Sequence, residues 1–227
     1  MLDLGPIWLT LKLATVATLM LLVLSVPLAY WLAFTKTRLK PLIETLVSMP
    51  LVLPPTVLGF YLLVAFSPNS FIGATLASWF GLKLIFSFPG LVLASVIYSL
   101  PFMVQPIQSG FANLPPHLRE ASYVLGKSQW VTLKSVLLPG IAPALLTGIV
   151  LTFAHTIGEF GVVLMIGGNI PDKTRVASIA IYDEVESLNY ISANHYSLIL
   201  IGITFIILFS VHLFNGGYLS RFLHDKP

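Results

Sequence analysis

Glu120-Ala121-Ser122-Tyr123-Val124-Leu125-Gly126, with Val136-Leu137-Leu138-Pro139 beginning ten residues after the glycine, is a polar interruption between two long apolar stretches of a 227-residue chain. Pro115 and Pro116 open this interruption, because proline is tolerated in the first turn of a helix. Leu118, Ala121, Ser122 and Leu125 then fall on one helical face before Gly126 ends the segment. Ser128 is placed to cap a second helix, which should stop at Pro139-Gly140. Two short helices meeting at Gly126 make an elbow, and a rigid elbow transmits a push. From helix pattern alone, an ordinary amphipathic loop with a solvated Glu120 is an equal reading.

The rest of the chain sets the context of that elbow. It is 56% hydrophobic and 9% charged, with mean hydropathy +0.91, whereas soluble domains carry roughly 25% charged residues. This is the composition of an integral membrane protein. The formal net charge of +3 does not imply a nucleic-acid partner, because the placement of charge between spans carries the information. There is no cysteine, which excludes a disulfide framework, a thiolate metal site and a cysteine nucleophile. The first apolar run is too long for a signal peptide and lacks a basic lead-in, so it reads as an uncleaved anchor.

Five runs are long enough to cross about 30 Å of hydrocarbon at about 1.5 Å per residue: 9–34, 42–66, 90–112, 141–166 and 196–215. Lys36, Arg38 and Lys40 follow the first, Arg119, Lys127 and Lys134 the third, and Arg221 and Lys226 the fifth. Only Lys12, Lys83, Lys173 and Arg175 fall on the opposite side. The positive-inside bias therefore predicts an external N-terminus, a cytoplasmic C-terminus and a cytoplasmic elbow. With no soluble domain, repeat or low-complexity linker, residues 1–227 read as one transmembrane domain with a cytoplasmic loop at 113–140. The external segments 68–88 and 173–190 read as surface or re-entrant helices rather than spans.

Two constellations tempt a sharper reading. Ala121 to Ser128, ending Gly126-Lys127-Ser128, fits a relaxed phosphate-loop pattern. A phosphate cradle needs a buried strand before it and successive N–H groups turned inward, whereas this segment reads as helix and carries Tyr123, Val124 and Leu125. ATP is therefore expected to be hydrolysed elsewhere. Within the membrane, Glu159 is the exception, since an acidic side chain at mid-span costs roughly 2.5 to 3.5 kcal/mol on insertion scales. His155, four residues earlier on the same face, reads as its partner, and a pair that only fixes helix packing is as good a reading as a gate. No second histidine cluster accompanies them, so no metal site is expected, and no catalytic residue or cofactor either. Pro50, Pro54 and Pro55 interrupt the second span, and Pro101 and Pro106 the third. Bent helices suit a pathway, because freed backbone groups are tolerated where a cavity or a neighbour satisfies them.

The elbow spacing resembles the Glu-Ala-Ala, three residues, Gly, nine residues, Ile, any residue, Leu-Pro signature in the cytoplasmic loop of permease subunits of binding-protein-dependent ABC importers. Ser122 for the second alanine and Val136 for the isoleucine are the two departures. Met49-Pro-Leu-Val-Leu-Pro-Pro-Thr-Val-Leu-Gly59, Phe71-Ile-Gly73, Gly158-Glu-Phe-Gly161 and Gly168-Asn-Ile-Pro171 look like the molybdate permeases of the molybdate, tungstate and sulfate importer group. His155 stands where that family is expected to carry arginine.

The resemblance implies an all-α, polytopic transmembrane helix bundle of the type I ABC importer permease kind, in a bacterial inner membrane. It implies a homodimer of this chain, two copies of an ATP-binding cassette ATPase beneath it, an extracytoplasmic molybdate-binding protein above it and membrane lipid around it. Glu120, Ala121, Ser122, Gly126, Leu138 and Pro139 are then the expected ATPase-coupling residues. Glu159, His155, Gly158, Gly161, Pro54 and Pro55 are the expected pathway or gate residues. With Lys12 read as an outer flank, no lysine or arginine lies inside the spans to grip an anion, which suits a conduit that must release its cargo. A sulfate or tungstate permease differs only in cargo. A proton-coupled secondary transporter using Glu159 and His155 as a relay is the reading from another class, and a membrane enzyme is a third.

Overall fold

The computed structural model describes residues 3–215, and no strand occurs among them. The helices in chain order are α1 (Gly5–Phe34), α2 (Lys40–Val52), α3 (Pro55–Phe66), α4 (Phe71–Phe80), α5 (Phe88–Ala112), α6 (Pro116–Val124) and α7 (Gln129–Thr132). A π-helical turn over Leu133–Leu137 joins α7 to α8 (Leu138–Gly140), followed by α9 (Ala142–Gly158), α10 (Gly161–Gly167), α11 (Ala177–Glu186) and α12 (Tyr190–Asn215). Among the described residues three helices are long and apolar enough to cross a membrane: α1, α5 and the Tyr190–Ser210 part of α12. The pairs Lys40–Val52 with Pro55–Phe66 and Gln129–Gly140 with Ala142–Gly158 are bent by 114° and 75°, and bring the number to five if each is one span.

Helix α5 is the axis of the bundle. Leu91, Ala94, Met103, Val104, Ile107 and Phe111 along it are fully buried, because α1, α2, α9 and α10 pack around it. The main core joins α1 and α5 to the elbow helices. A second cluster, including Leu58, Phe66, Ala94, Val162 and Ile166, holds α3 and α10 together. Helix α12 leaves Leu198, Ile201, Phe205, Ile206 and Phe209 exposed, the face such a helix turns to lipid, where no hydrophobic force drives burial.

The helix boundaries correct three expectations outright and bear a fourth out in part. The first helix starts at Gly5, so Lys12 sits within it, with its ammonium 4.8 Å from the centre of the Phe88 ring. The second span is interrupted as expected at Leu53–Pro54, where both residues are extended, with ψ near 136° and 135°, but Pro50 does not interrupt it, because α2 runs through that residue. A residue before proline is pushed out of the helical region, and tandem prolines do this twice. Pro101 and Pro106, by contrast, do not interrupt α5, which runs through both. The expected span 141–166 is two helices, α9 and α10, separated by Glu159, which is extended, and Phe160. Both external segments do contain helices, α4 and α11. Arg221, Lys226 and the C-terminus lie outside the described residues.

Candidate functional site

The elbow is built by backbone geometry at Gly126. Its φ of +71° is left-handed, and the Gly126 N–H donates to Tyr123 O at 2.9 Å while the Lys127 N–H reaches back to Ser122 O at 3.1 Å. This pair of bonds is a Schellman closure, and the residue at its corner needs a positive φ that glycine adopts freely. Ser128 caps the next helix, accepting from the Val131 N–H at 3.4 Å. Across the corner the buried Ser122 and Thr132 hydroxyls are bonded at 2.9 Å. That bond locks α6 to α7, and it gives Ser122 a role an alanine would not have.

The six expected coupling residues separate into two groups. Glu120, Ala121, Gly126 and Pro139 are exposed. Ser122 is buried, and Leu138 packs against the main core; these two hold the elbow's shape. Beside the exposed group, Val124, Leu125 and Trp130 are 88%, 76% and 71% exposed.

The expected pathway residues converge on a second feature. Pro55 and Thr56 at the start of α3 meet Ala154, His155, Gly158, Glu159, Phe160 and Gly161 around the α9–α10 break, and with Tyr98 they line a cleft of about 510 Å³. Pro54, the N-cap of α3, is not among the residues that line it. The two helix breaks come this close because Gly161 lacks a side chain: a Cβ there would lie 2.7 Å from Pro55 Cβ, whereas one on Gly158 would meet nothing within 4 Å.

Glu159 and His155 do not pair with each other as expected. Glu159 is 4% exposed; its Oε2 accepts from Ser95 Oγ at 3.0 Å, and its backbone carbonyl accepts from Ser178 Oγ at 2.6 Å. Its Oε1 has no hydrogen-bond partner among the described residues. His155 Nδ1 lies 2.9 Å from Ser99 Oγ, with the ring stacked on Phe102. Counting protons assigns the tautomer. Thr156 donates to Thr152 O at 2.9 Å, so it accepts from Ser99, 3.1 Å away. Ser99 then accepts from His155, whose Nδ1 carries the hydrogen. The two serines that hold these side chains, Ser95 and Ser99, were legible only as a four-residue spacing in an apolar helix.

A family model described as the binding-protein-dependent transport system inner membrane component matches residues 25–221. The chain belongs to that family. It is 48% identical over 211 residues to the molybdenum transport system permease protein ModB of Azotobacter vinelandii, spanning 92% of this chain and 93% of that one. To the sulfate transport system permease protein CysT of Escherichia coli K12 it is 33% identical, spanning 80% of this chain and 65% of that one. In fold it is similar to a chain of a bacterial alginate ABC transporter solved with its alginate-bound periplasmic protein, with a TM-score of 0.75 at 18% identity over 98% of this chain and 80% of that one. The chain is thus an all-α, multi-pass transport component of a membrane, with the fold of the ABC importer permeases. A sulfate permease is the weaker of the two matches.

Proposed function

We propose that this chain is the membrane-spanning permease subunit of a molybdate importer of a bacterial inner membrane. Two copies form one pathway that works by alternating access. Two copies of a separate ATPase dock beneath the elbow, and an extracytoplasmic binding protein delivers the oxyanion from outside. The observation that carries the cargo is the 48% identity to a molybdenum permease across 92% of the chain. The exposed Glu120, Ala121, Gly126 and Pro139 beside Val124, Leu125 and Trp130 support the docking site. The cleft where the two broken helices meet supports a gate at Pro55, His155, Gly158, Glu159 and Gly161, with Pro54 at the start of α3 beside Pro55. The chain threads with its N-terminus outside, so reporters fused after Lys40 and Lys127 read cytoplasmic and those at Asn69 and Asp172 read external.

Deleting the chain should raise the external molybdate a cell needs to sustain its molybdenum enzymes, and restoring it should reverse the effect. Unchanged molybdate uptake at nanomolar supply, with sulfate uptake lost, would assign the sulfate reading instead.

A further inference from the structure

The elbow grips more than its own two helices. Arg119, the residue before Glu120, sets its guanidinium over the Phe34 ring, 4.5 Å from the ring centre. Phe34 is the last residue of α1, and Thr35 after it is already extended. Phe34 sits in an aromatic trio with Tyr30, one turn back on α1, and with the fully buried Phe111 at the end of α5, at ring separations of 5.0, 6.1 and 5.6 Å. The cytoplasmic end of α1 is therefore held by the elbow through a charged group over an aromatic face, a contact that depends on position and that a greasy substitute does not reproduce.

At its other end α1 is fastened to the outer cap. Thr10 is buried; its hydroxyl donates to Pro6 O and accepts from the Ala177 N–H at 2.8 Å, which satisfies a first-turn donor of α11. Tyr196 of α12 donates to Asp3 O at 2.7 Å, just before α1 begins. In turn Ser178 of α11 donates to the carbonyl of Glu159 at the helix break. Between the two ends α1 packs along α5 and α9, with Leu13, Ala14, Ala17, Leu21, Ala29 and Leu32 buried. A continuous helix of 30 residues is about 45 Å long; Pro27 lies inside it without ending it.

We propose that α1 is the rod that carries elbow movement to the outer cap, and that Arg119 and Phe34 are the positioning residues that engage it. A displacement of α6 loads the end of α1 through the Arg119–Phe34 contact, and α1 delivers it to α11 through Thr10 and Ala177. From there Ser178 reaches the Glu159 break. A space of about 200 Å³ beneath the contact, lined by residues including Phe34, Pro115, Pro116 and Arg119, leaves room for the elbow to swing.

This inference rests on the importer reading, and the test separates the two. The permease is reconstituted in proteoliposomes with its ATPase and binding protein, and molybdate uptake and ATP hydrolysis are measured together. Wild type must first show uptake that needs both partners; if it does not, the importer reading has failed and the rod with it. Arg119→Gln and Phe34→Leu are each expected to lower the molybdate moved per ATP hydrolysed by roughly 2- to 30-fold. ATPase co-purification should stay unchanged, Arg119→Lys should restore coupling, and the double variant should be no worse than the poorer single one. The chain has no cysteine, so a nitroxide on Asn189→Cys reports the outer cap alone. Its spectrum should respond to ATP in the wild-type background and stop responding with Arg119→Gln. The rod is overturned if Arg119→Gln and Phe34→Leu couple normally, if Arg119→Gln releases the ATPase, or if the Asn189 label still responds with Arg119→Gln.

Discussion

Replacing Gly126 with valine tests the elbow through one physical quantity. Gly126 has φ +71°, and a Cβ built there meets nothing within 4 Å among the described residues, so the Cβ itself adds no clash. What remains is the left-handed backbone, which costs a residue with a Cβ about 1 to 2 kcal/mol. At about 1.4 kcal/mol per factor of ten, that depletes the corner geometry roughly 5- to 30-fold, and any other geometry gives up the bonds to Ser122 O and Tyr123 O. Asparagine visits the left-handed region more readily than other non-glycine residues, so Gly126→Asn should cost less than Gly126→Ala, and Gly126→Val most. The assay is binding-protein-stimulated ATP hydrolysis measured beside uptake in the reconstituted complex, with the permease checked for insertion and dimerisation. Both activities should fall in the order Gly, Asn, Ala, Val. Normal rates for Gly126→Val would refute the elbow as the transmission element. Equal losses for Asn and Val would assign the effect to a clash with the docked partner and not to φ.

Ser122→Ala leaves the buried Thr132 hydroxyl without the partner it has at 2.9 Å and should cost about 1 to 3 kcal/mol in thermal unfolding. Adding Thr132→Val should then cost less than the sum of the single changes; full additivity would mean the bond contributes nothing. Gly161→Ala forces a Cβ to 2.7 Å from Pro55 and should lower both melting temperature and uptake, while Gly158→Ala, facing open space, should leave the melting temperature unchanged; identical melting of the two variants would contradict the tight meeting of the helix breaks. Glu159→Gln keeps an acceptor for Ser95 but removes the ionisable carboxyl at the break, so uptake should fall while the complex still assembles. Wild-type uptake in that variant would reduce Glu159 to a packing residue.

Proline and glycine carried much of what the sequence revealed, because their backbone effects are local. Pro115, Pro116, Gly126 and Ser128 set the elbow helices within a residue or two of where they lie. Prolines in the spans were less decisive. Pro54 and Pro55 break the second span since each forces the residue before it to extend, but isolated Pro101 and Pro106 leave α5 unbroken. Breaking a helix in hydrocarbon exposes more backbone than a single proline does, so the helix closes around it. The break at Glu159 was hidden for a different reason. Hydropathy over 141–166 is continuous, and a lone acid reads as an exception within a span, not as its end. The choice of Ser95 and Ser99 over a His155–Glu159 pair depends on how α5 is rotated against α9, which a single-helix periodicity does not contain. Of Leu118, Ala121, Ser122 and Leu125, read as one helical face, only Ser122 is buried, and its Thr132 partner lies across the corner and required the fold.

Uptake of radiolabelled molybdate into proteoliposomes holding only this chain, its ATPase and its binding protein is the most direct test. The account predicts accumulation that requires ATP inside, the binding protein outside and an intact Gly126, and that an excess of sulfate does not abolish. Accumulation by this chain alone, driven by a proton gradient with no ATPase present, would contradict it.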